Sequence, residues 1–154
     1  PFSWRDFQQN LAPHGWFAAK YRNLIRNMMV RERENTLHLL STISPQWAKA
    51  GEEIRVEKAP TYFGTVNFNA NFSEEGMELN LNNRFHSTPK TIAIHLPYFV
   101  SYSGTNTGKY NRKHHSVYIT PGTKSIRINW KKRPDSKNYS FEKSVKELKK
   151  LYSN

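Results

Sequence analysis

The sequence pattern that most strongly predicts the fold lies in residues 65–81, TVNFNANFSEEGMELNL. Its two halves alternate between apolar and polar residues and flank a turn-forming segment, residues 73–76. An alternation with period two is typical of a β-strand that buries one face and exposes the other to water. The stretch therefore predicts an antiparallel hairpin, and its apolar face carries Val66, Phe68, Ala70, Phe72, Met77, Leu79 and Leu81.

Shorter runs of the same kind occur on both sides of this hairpin. They predict six further strands, at residues 27–32, 36–41, 53–57, 92–96, 117–119 and 125–130. Strands with one apolar face bury it by packing sheet against sheet, and strands joined by turns pair antiparallel. The predicted fold class is mainly β: an antiparallel β-sandwich of about eight strands, with an N-terminal helical segment and a short C-terminal helix.

Three segments are predicted along the chain. Residues 1–27 carry apolar side chains at helical spacing and form a helical lead-in, the end of a preceding helical domain; residues 28–134 form the β-sandwich; residues 135–154 form a basic C-terminal helix. Within the sandwich, the polar residues 101–115 are expected to form a long mobile loop. Because the sequence starts at Pro1 without methionine or a signal peptide, we expect a fragment or a processed piece of a longer protein.

The charge is concentrated in the second half of the chain. Of 154 residues with a net charge of +12, residues 1–84 contribute 10 basic and 9 acidic side chains, and residues 85–154 contribute 14 and 3. Two interpretations stay open: a solvated basic surface, or a face for an anionic partner such as nucleic acid or an acidic polysaccharide. The absence of cysteine excludes disulfides and thiolate metal sites. No apolar run is long enough for a membrane span.

The sequence carries no complete catalytic or metal-binding motif. The spacing of the six histidines does not suggest a metal site; they are His14, His38, His86, His95, His114 and His115. The acidic pairs at residues 52–53 and 74–75 lie at predicted turns, where carboxylates are normally solvated. Glycine-rich phosphate loops and nucleophile elbows are absent. We therefore expect no catalytic residue, no metal and no cofactor in this chain.

Aromatic and amide side chains offer a different chemistry, the binding of sugars. Rings stack on sugar faces, and amides hydrogen-bond to hydroxyl groups. Four rings in predicted turns or loops are expected to be exposed and are the candidate carbohydrate-binding residues: Trp47, Tyr62, Tyr102 and Tyr110. The polar face of the hairpin would add a patch of asparagines: Asn67, Asn69, Asn71, Asn80 and Asn82. The alternative is that these rings and amides are only packed or hydrated.

An ordered series of segments resembles a known family. The segments are RNMMVRE (26–32), LHLLS (37–41), PQW (45–47), GEEIRV (51–56) and APTYFGTV (59–66). In this order they resemble the C-terminal region of large bacterial glycoside-hydrolase-like proteins, in which an (α/α) six-hairpin toroid domain precedes a terminal β-sandwich. The resemblance covers about residues 16–96. It implies an accessory domain whose catalytic partner lies in the toroid, so it transfers no catalytic residue to this chain.

The resulting functional hypothesis is a non-catalytic accessory β-sandwich of a larger bacterial carbohydrate-active enzyme. Its expected partner is the preceding helical catalytic domain of the same parent chain, with polysaccharide as a further ligand and export as part of the parent. The first alternative is an autonomous carbohydrate-binding module. The second is a basic nucleic-acid-binding domain, which is disfavoured because the ring-and-arginine patterns of RNA-binding sheets are missing. No membrane partner is expected.

Overall fold

A computed structural model describes residues 15–134, 142, 145–146 and 149–150. Within residues 15–134 the chain forms helix α1 (Gly15–Met29) and eleven strands. The strands are β1 (Val30–Arg33), β2 (Thr36–Leu39), β3 (Glu53–Thr61), β4 (Gly64–Ser73), β5 (Gly76–Leu81), β6 (Arg84–Phe85), β7 (Thr91–His95), β8 (Val100–Thr105), β9 (Lys109–Asn111), β10 (Ser116–Ile119) and β11 (Ser125–Lys132). In this part of the chain, no helix has both the length and the apolar character that crossing a bilayer requires.

The strands form two sheets in a sandwich-like, mainly β fold. Sheet A has five strands in the order β1-β2-β7-β10-β9. Sheet B has six, in the order β3-β4-β5-β11-β8, with β6 paired to β4. The buried side chains of both sheets form one hydrophobic cluster, to which β4 contributes Val66, Phe68, Ala70 and Phe72.

The hairpin predicted from residues 65–81 is confirmed in detail. Strands β4 and β5 pair antiparallel, with Phe68 opposite Leu81 and Ala70 opposite Leu79. Leu79 is fully buried, whereas Asn80 beside it is exposed. A shift of one residue would move every apolar side chain of a strand to the solvent side, so burial of this face fixes the register.

The prediction of about eight strands is wrong, because β6, β8 and β9 were not expected. Two of these three lie in residues 101–115, for which a long mobile loop was predicted. The two serines and the glycine of β8 carry little β-propensity of their own. They form a strand here because β8 and β9 are the outermost strands of their sheets, where polar side chains are well tolerated.

One strand pair also departs from the predicted antiparallel arrangement. Strand β2 pairs with β7 in parallel, with Leu37 beside Ile92 and Leu39 beside Ile94. Between these two strands the chain crosses to sheet B and returns, through residues 40–90. A long crossover permits a parallel neighbour, which a tight turn does not. The sequence predicted mostly antiparallel sheets, and β2–β7 is the parallel exception among the strand pairs of the described residues.

The predicted N-terminal helix is observed over the second half of residues 1–27. Helix α1 ends at Met29, two residues beyond the predicted boundary at residue 27, and β1 follows directly at Val30. The first part of the predicted lead-in, residues 1–14, lies outside the described residues. Most of the predicted basic helix at 135–154 lies outside them as well.

Two strand glycines provide a matched test of how closely the strands pack. A Cβ atom added at Gly76 would lie 2.2 Å from the carbonyl oxygen of Ile128, whereas one added at Gly104 would meet nothing within 4 Å. Gly76→Ala should therefore lower the free energy of unfolding by about 1–3 kcal/mol through overpacking. Gly104→Ala should change it by less than about 0.5 kcal/mol. Urea unfolding of both variants measures the difference, and equal effects would contradict the close approach of β5 and β11.

Candidate functional site

The four predicted carbohydrate-binding rings do not form one surface. Tyr62 is exposed to 78% in the β3–β4 turn, and Trp47 to 39% between β2 and β3. Tyr102 and Tyr110 were expected to be exposed, but they are half-buried and stacked on each other, with ring centroids 4.0 Å apart. The cause is the pairing of β8 and β9 into the two sheets, which brings these rings together. Within the described residues, no ring contact joins Trp47 or Tyr62 to this pair.

A small cleft lies beside the stacked tyrosines. It has a volume of about 430 Å³, and its lining includes Arg112, His115 and Arg133. The Nε2 atom of His115 lies 3.2 Å from the carbonyl oxygen of Pro97, which can only accept, so Nε2 carries the proton. The Nδ1 atom then accepts from the Tyr110 hydroxyl at 2.8 Å. Sequence reasoning missed this contact because it predicted the segment to be a loop.

A larger concave surface than this cleft lies on the outer face of sheet B. We call it the amide groove; it has a volume of about 790 Å³. Its floor carries Asn69 on β4 and Asn80 on β5, which are directly opposite each other, and Asn82 follows at the end of β5. The groove therefore contains much of the asparagine patch that the hairpin register predicted.

A backbone irregularity in strand β3 lies beside the groove. Strand β3 is bulged between Val56 and Ala59, and Lys58 has a φ of 52°. The Lys58 N–H group donates to the Asn67 amide oxygen at 2.9 Å, and the Asn67 amide nitrogen donates to the carbonyl oxygen of Asn82, also at 2.9 Å. Asn67 thus holds the bulged strand on one side and the end of β5 on the other.

The amide groove has an excess of positive charge. Its lining includes Arg55, Lys58 and Arg84 as cations and Glu57 as the anion. Arg55 pairs with Glu57 at 2.7 Å, and both side chains are more than half exposed. Sequence reasoning identified the asparagines but missed these cations. The positions of Lys58 and Arg84 depend on the β3 bulge and on β6, neither of which has a signal in the sequence.

A pair of histidines, His38 and His95, lies on the outer face of sheet A. The His38 Nδ1 atom and the His95 Nε2 atom are 2.9 Å apart, and the two rings are stacked. Burial lowers the pKa of His38 to about 4, and the charges of Arg31 and Arg33 add to this effect. Burial likewise lowers the pKa of His95 to about 4, together with the charges of His38 and Arg31. Both imidazoles are therefore neutral at pH 7, and one donates to the other.

The carboxylate of Glu32 on β1 connects helix α1 to the β3–β4 turn of the sandwich. Its two oxygens accept from the Arg26 guanidinium at 3.1 and 3.3 Å, and one of them also accepts from the Tyr62 N–H group at 2.9 Å. Arg26 additionally donates to the carbonyl oxygen of Pro60 at 2.6 Å. Burial alone would raise the pKa of Glu32, but the hydrogen bonds from Arg26 and Tyr62 lower it below its usual value. We call this arrangement the Glu32 clamp.

Beyond the clamp, α1 projects from the sandwich. None of its fifteen residues is buried, and residues 15–24 are all exposed. Four of these are large apolar side chains with exposed fractions between 55% and 68%: Trp16, Phe17, Tyr21 and Leu24. At 100° per residue they share one broad side of the helix, and Arg22 lies on the opposite side.

Comparison of this chain with protein-family models, with curated proteins and with solved structures finds no match. In the described part of the chain, no three histidine, aspartate or glutamate side chains are grouped closely enough to hold a metal ion.

The histidine pair predicts a pH-dependent stability. The folded-state pKa values of about 4 lie below the ordinary value of 6.5, so the unfolded chain takes up protons first as the pH falls. The contribution of the pair is complete above about pH 6.5 and is lost as the pH falls towards 4. We expect the melting temperature of the His38→Gln/His95→Gln variant to fall less between pH 7 and pH 4.5 than that of the wild type. Parallel curves would contradict this, and His86→Gln, at an exposed position, is the control.

The Glu32 clamp predicts that substitution of Glu32 destabilises the protein more than substitution of Glu57. Glu32→Ala removes the acceptor of three hydrogen bonds, two of which are partly buried, so it should lower the free energy of unfolding by about 1–3 kcal/mol. Hydrogen exchange in α1 should also accelerate. Glu57→Ala breaks the exposed pair with Arg55 and should cost less than about 0.5 kcal/mol. Denaturant unfolding and exchange mass spectrometry measure both effects, and α1 exchange that is unchanged in Glu32→Ala would refute the role of the clamp.

Proposed function

We propose that this chain is the non-catalytic accessory β-sandwich of a larger bacterial carbohydrate-active enzyme. In this proposal, α1 packs on the helical catalytic domain of the same parent polypeptide. The observation that carries the proposal is the state of α1: its last turn is clamped to the sandwich, while the exposed side chains of Tyr21 and Leu24 face away from it.

The exposed side of α1 supports a helical partner. Tyr21 and Leu24 are three residues apart, the spacing at which neighbouring side chains form a ridge along a helix surface. Such ridges pack into the grooves of another helix. An isolated helix of fifteen residues is only marginally stable in water, so contacts along this side would supply the stabilisation that the sandwich does not.

The family resemblance supports the same assignment. Two of its segments, residues 26–32 and 59–66, are far apart in the sequence but meet in the Glu32 clamp. The residues behind the resemblance are thus the ones that set how the helix leaves the sandwich. A fixed exit direction is what an accessory domain needs when its helix packs on a neighbouring domain.

This role makes the sandwich a support and not a catalyst. The catalytic acids would lie in the helical domain, and the parent would carry both domains out of the cytoplasm. The alternative of an autonomous carbohydrate-binding module would need a binding surface within the sandwich itself. Among the four predicted rings, only Tyr102 and Tyr110 are in contact, so those rings offer it little support.

The test uses the parent polypeptide with substitutions on α1. Tyr21→Ser/Leu24→Ser should lower the melting temperature of the parent and release the sandwich more quickly in limited proteolysis, because the packed side of α1 is lost. Arg22→Ser, also exposed but on the opposite side of the helix, is the matched control. If both variants behave like the wild type, or if removal of residues 15–134 leaves the stability and activity of the parent unchanged, the accessory role is refuted.

A further inference from the structure

The amide groove is large enough, and polar enough, to hold several units of a polymer. Its volume of about 790 Å³ falls within the range of roughly 300–1,000 Å³ that is common for ligand sites. It lies on the face of sheet B opposite the hydrophobic core, so a ligand could enter without any change in the sandwich.

The amides in the groove differ in how far they are already used by the protein. Asn67 is committed to the β3 bulge and to Asn82 through both amide atoms. The Asn69 amide oxygen, by contrast, is buried and has no hydrogen-bond partner. A ligand in the open groove cannot reach this buried oxygen, whereas the side chains of Asn80 and Asn82 are exposed there. A sugar hydroxyl can donate to an exposed amide oxygen and accept from an exposed amide nitrogen.

The cations of the groove favour a ligand that carries negative charge. No carboxylate of the described residues lies within ion-pair distance of Lys58 or Arg84, whereas Arg55 is paired with Glu57. A guanidinium such as that of Arg84 presents a planar pair of donors that matches a carboxylate. A glycan built from uronic acids carries both kinds of group: its hydroxyls can hydrogen-bond to the amides of the groove, and its carboxylates can pair with the cations.

We propose that the amide groove binds a linear glycan whose sugar units carry carboxylates. A neutral glycan fits less well, because sites for neutral sugars use exposed rings and the one aromatic residue lining the groove, Phe68, is buried in the core. A single-stranded nucleic acid fits less well for the same reason, since its bases stack on exposed rings. The proposal adds a ligand to the accessory role and uses a different face from α1, so either proposal can fail without the other.

The test measures binding of defined oligomers to the 154-residue chain by isothermal titration calorimetry. The probes are an oligogalacturonate hexamer, a neutral cello-oligosaccharide hexamer and a single-stranded oligonucleotide of similar charge to the uronate. The proposal expects binding of the uronate, with an affinity that falls as salt is raised, and weaker binding of the other two. Absence of uronate binding at millimolar concentration would overturn it, as would equal or tighter binding of the neutral hexamer or the oligonucleotide.

Matched variants locate the binding on the protein. Asn80→Ala and Arg84→Gln should each weaken uronate binding about tenfold, which corresponds to about 1.4 kcal/mol. Asn129→Ala and Arg127→Gln alter exposed side chains on β11, outside the groove lining, and should leave the affinity unchanged. Melting curves check that every variant is folded. Equal weakening by the groove variants and the β11 variants would place the binding elsewhere and overturn the proposal.

Discussion

The register of β4 against β3 and β5 is the constraint on which the other features of this molecule depend. One alternation places Val66 and Phe68 in the core and Asn67 and Asn69 on the outer face. Slippage by a single residue would bury amides without partners and expose the apolar side chains, at a cost far beyond the marginal stability of a small domain. The core, the floor of the amide groove and the attachment point of the β3–β4 turn to α1 are therefore consequences of the same pairing.

The sequence alone predicted those elements whose side chains alternate clearly. The hairpin of β4 and β5, the presence of two packed sheets and the outward asparagines all follow from periodicity, and the structure confirms them. Strands β8 and β9 could not be predicted, because their polar residues become strands only when another strand lies beside them. The same limit applies to the site: Asn69 could be placed on a face, but the positions of Lys58 and Arg84 depend on a bulge and on a two-residue strand.

The Glu32 clamp and the amide groove both use residues of the β3–β4 hairpin. At the turn, Pro60 and Tyr62 supply backbone groups that fix the direction of α1. Just before the turn, the β3 bulge includes Lys58, which lines the amide groove. The proposed domain contact and the proposed glycan binding would therefore use neighbouring parts of one hairpin.

The parallel pairing of β2 with β7 has a consequence for the order in which the molecule assembles. Sheet A consists of two parts, β1-β2 and β7-β10-β9, which are separated in the sequence by all of β3 to β6. A two-stranded ribbon such as β1-β2 is at best marginally stable in water. During synthesis from the N-terminus, the three consecutive strands β3, β4 and β5 can pair locally as soon as they emerge, whereas sheet A must wait for Thr91–His95. The helix and its clamp precede the strands of sheet B in the sequence, but they therefore reach their final anchorage only after β7 (Thr91–His95) has been made.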